Sequence, residues 1–363
     1  MADYTAISWC DSTFNPWVGC AKISPACDHC YAERLMDHRM HKVKWGAGQA
    51  RVRTSAANWR QPLAWNAQEF SECMECGWRG ELRKAGSEAC PAWFARGPGT
   101  MRTCPSCKRP LLMESRRRVF CASLADVFDN EVPEAWRFDL LNLIADTPAL
   151  DWLLLTKRIG NARAMLDAFV RSDGHPNESL DGWPNVWLGA TVVNQTEADR
   201  DIPKLLATPA AVRFVSIEPM LGPINLERIE IGDYRHPLGT WCAPLSGCFV
   251  DSPRIDWVIC GGESGPQARP MHPDWVRSLR DQCAAAGVPF HFKQIGEWVS
   301  PGDAAFGRSP VREVVHLRPD GSVVDPASPE AQDENADVIT MARVGTKVAG
   351  RLIDGVAHDG FPS

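Results

Sequence analysis

The chain has 363 residues, of which 44% are hydrophobic and 23% charged, with a formal net charge of −6. These globular proportions exclude a disordered chain and allow one barrel-sized domain with an insert, or two domains. The acidic balance excludes a global electrostatic footprint for nucleic acid, so any such binding must come from a local patch. No apolar run is long enough to span a bilayer, and Asp3 and Asp11 flank a polar start without a signal-peptide pattern. The expectation is a soluble, cytoplasmic protein with no membrane contact. Fourteen cysteines in that setting, several of them tightly spaced, point to metal rather than disulfides.

The first patterned stretch carries Cys20, Cys27 and Cys30 at C-x6-C-x2-C spacing, with Ser24-Pro25 breaking the loop and Tyr31 directly after the last cysteine. Three thiolates on one loop can hold a [4Fe–4S] cluster and leave one iron without a protein ligand, open to chelation by a substrate or cosubstrate. The alternatives are a zinc knuckle completed by His29 or Cys10, or unligated core cysteines. Ala32 to Met40 then reads as a short helix. Between His38 and Asn66 there is no acidic residue, while Arg39, Lys42, Lys44, Arg51, Arg53 and Arg60 alternate with Trp45, Trp59 and Trp65. Such a segment can hold a phosphate backbone and stack bases, or it can be a loop over the sheet mouth with its tryptophans in the core.

Residues 67–118 change character. Cys73-x2-Cys76 and Cys104-x2-Cys107 make two knuckles whose four thiolates suit one tetrahedral, structural Zn2+; a second iron–sulfur cluster is the alternative, and Cys90 is a spare thiol between them. Arg79, Arg83, Lys84, Arg96, Arg102, Lys108, Arg109 and Arg116 to Arg118 make the insert basic, as a substrate grip or merely as the solvated surface of a small zinc module.

From residue 118 onward, apolar runs alternate with helical patterns, which argues for a parallel α/β architecture. Strands are expected at 119–123, 152–158, 186–192, 212–219, 255–264 and 289–294, after a first strand near 15–20. Helices are expected at 134–146, 161–170, 196–206 and 273–286. The spacing predicts an incomplete parallel (β/α)6-type barrel over 1–66 and 119–300, with an inserted zinc-ribbon-like module at 67–118 and a C-terminal loop and tail at 301–363. A complete eight-strand barrel is the runner-up. Residues 300–340, rich in Pro, Gly, Asp and Glu, read as a loop or flap, and the last twenty residues as a tail that packs back.

Each predicted strand starts apolar and ends polar, and ligands of parallel α/β folds bind beyond the carboxyl ends of the strands. The candidates there are Ser123 and Asp126, then Thr156, Lys157 and Arg158, then Thr191 and Asn194, then Glu218, and finally Gly261 and Gly262, whose bare backbone permits close approach. Each polar member equally suits capping of the next helix. Cys260 alternates within its strand as a core cysteine would, and it also stands next to the mouth.

The three-cysteine loop resembles that of the radical S-adenosylmethionine (SAM) superfamily, whose commonest spacing is C-x3-C-x2-C with an aromatic before the last cysteine. The wider run from Trp9 to Tyr31, with Asn15-Pro16-Trp17-Val18-Gly19-Cys20 and Ser24-Pro25, is similar to a phage-associated family of three-cysteine proteins, and that likeness covers most of the chain outside the insert. The resemblance implies a [4Fe–4S] cluster on Cys20, Cys27 and Cys30 and SAM chelated to its open iron. One electron then cleaves the sulfonium, and a 5′-deoxyadenosyl radical takes hydrogen from a substrate. It also implies that Tyr31 and the strand-end groups hold SAM. Lys157 or Arg158 would pair with the methionine carboxylate, Glu218 or Thr191 would bond the ribose, and Gly261 and Gly262 would face the adenine. Many relatives carry Gly-Gly-Glu after the second strand; here Gly261-Gly262-Glu263 follows the sixth. Cys260 would return a hydrogen atom, as in a related lyase that repairs a DNA photoproduct. An electron donor such as a flavodoxin or ferredoxin is implied as a partner. The expected function is a radical SAM enzyme acting on a nucleic acid or nucleotide, in modification or repair. The alternative is a non-catalytic zinc- and iron–sulfur-bearing nucleic-acid-binding protein.

Overall fold

In the computed structural model, the described residues are 4–81, 103–109, 112–172, 183–230, 241–247, 252–301, 310–325, 327–333 and 336–362. Seven strands form the central sheet: β1 (Ser12–Phe14), β2 (Arg117–Cys121), β3 (Leu150–Thr156), β4 (Val186–Thr191), β5 (Val212–Ile217), β6 (Trp257–Gly261) and β7 (Phe290–Gln294). They lie in chain order and every neighbouring pair is parallel. The first and last strands do not pair with each other, so the sheet is an open curl, a half-barrel. Helices α1 (Glu134–Ala145), α2 (Ile159–Ser172), α3 (Gln195–Leu206) and α4 (Pro273–Ala286) lie between strands.

Alternation along the strands divides the core in two. Leu154, Leu188, Val215 and Val258 pack outward against Leu141, Ile144, Leu205 and Leu279 of the helices. The adjacent residues Leu153, Trp187, Phe214 and Trp257 face the other way and form a second cluster with Trp9, Phe120 and Ile259. A parallel sheet covered on both faces must be apolar on both, which is why its strands read as continuous hydrophobic runs. On β4, a Cβ at Gly189 would fall 2.3 Å from the ring of Phe214. Glycine there makes room for the aromatic plug.

The predicted helices are close to the observed ones, and α4 matches residue for residue, entered at Pro273 and stopped by Gly287 at φ +66°. The first strand differs. It is Ser12–Phe14 rather than 15–20, because Pro16 has no N–H and the Asn15 side chain turns to Ser123 Oγ (3.0 Å) and the Leu124 amide (2.7 Å). Residues 300–340 are not simply a loop. Trp298–Val299, Val314–Leu317, Val323–Val324 and Ile339–Arg343 form a four-stranded antiparallel sheet. Its short Val-rich strands were hidden by the Pro, Gly and Asp between them.

The insert contributes a three-stranded antiparallel sheet of Arg79–Glu81, Phe70–Cys73 and Leu112–Glu114. Of its basic residues, Arg83, Lys84, Arg96 and Arg102 lie outside the described residues, as does Cys90. The tail packs back as expected. Gly360 O accepts a bond from Trp257 Nε1 at 2.7 Å, and Phe361 lies 5.1 Å from the Trp257 ring.

Below the tail, His291 on β7 is fully buried, with Nε2 2.8 Å from Ser8 Oγ and Nδ1 3.9 Å from Asp359. Burial lowers its pKa from 6.5 to about 4, against the opposing pull of Asp359, while Arg351, Lys293 and Arg118 reinforce the drop. Because the unfolded chain binds the proton more readily, stability falls as pH drops from 6.5 towards 4. The loss attributable to this group is roughly 3 kcal/mol. Denaturant titrations across that window should show the loss in the native chain, and a shallower slope in His291→Gln.

Candidate functional site

The carboxyl ends of the strands open into a cavity of about 230 Å³. It exists because the strand-end residues facing it are small (Ala122, Thr191, Ser216), while Trp9, Phe120 and Leu155 close its floor. The three-cysteine loop forms one wall, and Cys20, Cys27 and Cys30 all line the cavity with Tyr31 and Trp45. Of the strand-end candidates, Ser123, Asp126, Lys157, Arg158, Thr191, Glu218 and Gly262 line it too.

The candidates divide by what already holds them. Asp126 is buried and fully engaged: Oδ1 accepts from the Phe128 amide (3.0 Å) and Thr156 Oγ1 (2.7 Å), and Oδ2 from the Lys157 amide (3.0 Å). Thr156 is therefore a brace between β2 and β3, and its hydroxyl also accepts from the Arg158 amide at 2.8 Å. Arg158 reaches Cys20 Sγ (3.2 Å), Ala21 O (2.9 Å) and Asp126 (3.4 Å). Burial pushes the Cys20 thiol up to about 11, and Asp126 adds to the rise while Arg158 opposes it. Asn194 caps α3 by accepting from the Glu197 amide at 2.9 Å and does not reach the cavity wall. Tyr31 Oη donates to Ser123 O at 2.5 Å, tying the cysteine loop to the end of β2.

Among the described residues, two polar groups of the wall have neither a hydrogen bond nor an ion pair. Thr191 Oγ1 and Trp9 Nε1 are buried, at 3% and 2% exposure, without a hydrogen bond. An unpaired buried polar group costs about 1–3 kcal/mol, and in a cavity wall a ligand or a water can relieve that cost. Glu218 pairs with Lys293 at 3.0 Å, whereas Lys157 has no carboxylate within 4.0 Å among the described residues.

Gly262 is glycine for a different reason from the one the sequence offered. A Cβ there would lie 1.9 Å from Ile295 O, so the close approach is made by the chain's own backbone. Gly261 packs against Glu218 and does not line the cavity. Cys260 is fully buried, with Sγ 3.7 Å from Met220 Sδ, and burial raises its pKa well above that of a free thiol. It sits in the core rather than in the wall.

Sequence reasoning missed Trp9, Lys293 and the Glu263–Arg269 pair as parts of the site, and weighed His29 only as an alternative zinc ligand. Lys293 could have been found, since it ends a strand as the other candidates do. Arg269 forks onto Glu263 at 2.8 Å and touches Asp28 (2.9 Å) and Pro25 O (2.9 Å), a pairing invisible from spacing. His29 Nδ1 lies 3.2 Å from Glu263. The basic segment is largely engaged within the chain. Arg51 is buried on Asp129 (2.8 Å) and Glu131 (2.9 Å), Arg53 pairs with Asp139 (2.6 Å), Arg117 pairs with Glu81, and Arg118 stacks on Phe361 (4.1 Å). Trp65 is in the core, while Arg39, Lys42, Lys44 and Arg60 are exposed.

The sulfurs of Cys73, Cys76, Cys104 and Cys107 lie within 4.8 Å of one another, a group that can hold a metal ion. The two turns that carry them are copies. The Gly77 amide bonds Cys73 O (2.9 Å) and the Lys108 amide bonds Cys104 O (3.0 Å), with φ near +69° and +64° at these residues. The backbone N–H of Cys76, with that of Glu75, holds the Cys73 thiol down to about 7.

A family model described as "Protein of unknown function (DUF5131)" matches residues 4–362. The chain belongs to the DUF5131 family. No curated protein and no solved structure gives a significant match. Both cysteine groups and the whole half-barrel fall within the span of the DUF5131 match.

Thr191→Val deletes the unpartnered hydroxyl at nearly constant volume. Thermal melts of the ligand-free chain should show a gain of about 1 kcal/mol, while a ligand that raises the native melting point should raise that of the variant less.

Proposed function

We propose that this chain is a radical SAM enzyme built on the incomplete (β/α)6-type barrel plan. The observation that carries the reading is that three cysteines on one loop and most of the strand-end polar groups face a single cavity, where Thr191 Oγ1 and Trp9 Nε1 have no partner among the described residues. The donor set suits the cofactors. Cys20, Cys27 and Cys30 would hold a four-iron cluster with one open iron, and a cluster spreads its thiolates over different irons instead of drawing them to a point. When bound there, cluster and SAM would supply radical chemistry that removes hydrogen from a substrate, the electron coming from an external donor such as a flavodoxin or ferredoxin.

The chain's own groups bind and orient. Arg158 is occupied by Cys20, Ala21 and Asp126, which leaves Lys157 as the ammonium for the methionine carboxylate. Thr191 and Glu218 in the cavity wall would bond ribose hydroxyls, and the Trp9–Phe120–Leu155 floor would keep water from the reacting atoms. A nucleotide or nucleic acid substrate is supported by Trp45, an aromatic surface in the cavity wall beside exposed Arg39, Lys42 and Lys44. The four clustered thiols suit a closed tetrahedral zinc site that stabilises a zinc-ribbon-like insert.

Anaerobic purification should give a brown protein that bleaches with dithionite and converts SAM to 5′-deoxyadenosine and methionine. Cys27→Ala should lose iron and turnover together; full iron retention in that variant sinks the cluster assignment. A colourless chain with zinc and no turnover would favour the non-catalytic binding protein. Within 38–66, Arg51 and Arg53 are engaged internally, while Arg39, Lys42, Lys44 and Arg60 are exposed, Lys44 beside Asp37 at 3.3 Å. Salt titrations of nucleic-acid binding should show the log–log slope shrink by up to about 4 when Arg39, Lys42, Lys44 and Arg60 are all changed to Gln; an unchanged slope would count against this surface.

Elemental analysis should find one zinc per chain, lost in Cys104→Ser along with the protease resistance of the insert. Intact resistance without zinc would count against a structural role.

A further inference from the structure

The three-cysteine loop is held from both sides by an arginine. From the end of β3, Arg158 donates Nη1 to Cys20 Sγ (3.2 Å) and Nη2 to Ala21 O (2.9 Å). From beyond β6, Arg269 donates Nη1 to Asp28 (2.9 Å) and Nη2 to Pro25 O (2.9 Å), 244 residues away in sequence. Each guanidinium is itself fixed. Arg158 leans on Asp126 (3.4 Å) and Asp129 (3.8 Å), and Arg269 is forked onto Glu263, whose carboxylate also takes the Arg269 amide at 2.8 Å. These are long-range, charge-assisted contacts to the backbone and side chains of a loop whose own regular structure is one short 3-10 turn, Pro25–Cys27.

We propose that Arg158 and Arg269 are positioning residues that strap the cysteine loop across the mouth of the half-barrel, with Arg158 also setting the electronic environment of Cys20. The proposal rests on the reading that Cys20, Cys27 and Cys30 bind a cluster. Groups that orient metal ligands from outside typically govern affinity by 10–100-fold, and hydrogen bonds to ligand sulfur help set a cluster's potential. An N–H donated to Cys20 Sγ favours the more negative, reduced cluster, so Arg158 raises the potential. Arg269 touches no sulfur. Its effect is on retention: with the strap cut, Cys27 and Cys30 lose their fixed separation from Cys20.

The two roles separate experimentally. In the full chain, reconstituted anaerobically, Arg158→Gln should move the cluster midpoint potential to more negative values, and Arg158→Lys, which keeps the charge without the fork, should recover part of the shift. Arg269→Gln should leave the potential near that of the native chain and speed iron release to a chelator by about 10–100-fold, with no recovery in Arg269→Lys. Unchanged potential in Arg158→Gln together with unchanged release in Arg269→Gln overturns the proposal. Hydrogen exchange in the metal-free chain reads the strap independently of any cluster. Exchange at the Cys27 and Asp28 amides, which bond Ser24 O (2.8 Å) and Pro25 O (3.3 Å), should quicken in Arg269→Gln, and equal exchange in both chains refutes the strap. If the native chain binds no iron but shows the exchange difference, the cluster reading fails and the strap stands.

Discussion

A carboxylate taken out of water must be compensated where it sits, and Asp126 is the group on which this site's geometry turns. At 4% exposure it accepts a hydroxyl and two backbone amides and faces Arg158. Those bonds fasten the end of β2 to the end of β3 and aim Arg158 at the cysteine loop. Replacing Asp126 by an apolar residue would leave the Arg158 charge half-compensated and two amides unpaired, a loss of several kcal/mol by the rule that breaking a buried pair costs about 3–5 kcal/mol. Much of what was read as ligand-binding chemistry at this junction is therefore internal scaffold, and the groups left for a ligand are fewer: Lys157, Thr191, Trp9 and the Glu218–Lys293 pair.

The parallel sheet was legible because burial on both faces imposes unbroken apolar runs, and α4 because Pro273 and Gly287 punctuate it at both ends. The antiparallel strands within 298–343 were not legible, since strands of two to five residues leave little periodicity to detect. The cavity wall was legible residue by residue at the strand ends, since a sheet buried on both sides can present polar atoms only there. Which of those atoms are free was not. Asn194 and Thr156 look like ligands in sequence and act as a cap and a brace in space.

Charge misled for a related reason. Arg51, Arg117 and Arg118 belong to runs that read as a basic surface, yet each is less than 10% exposed. Their partners Asp129, Glu81 and Phe361 are distant in the chain, and no local window reveals them.

The aromatic floor has a consequence for the order in which the site can come into being. Trp257 packs against both Trp9 (6.4 Å) and Phe361 (5.1 Å), so the aromatic cluster behind the floor joins an early part of the described chain to a late one. A ribosome delivers Trp9 before any strand of the sheet and Phe361 after all seven. Until Phe361 arrives, the Trp257 ring lacks that packing partner. The contact between the tail and β6 should therefore form after the seven strands rather than during their assembly.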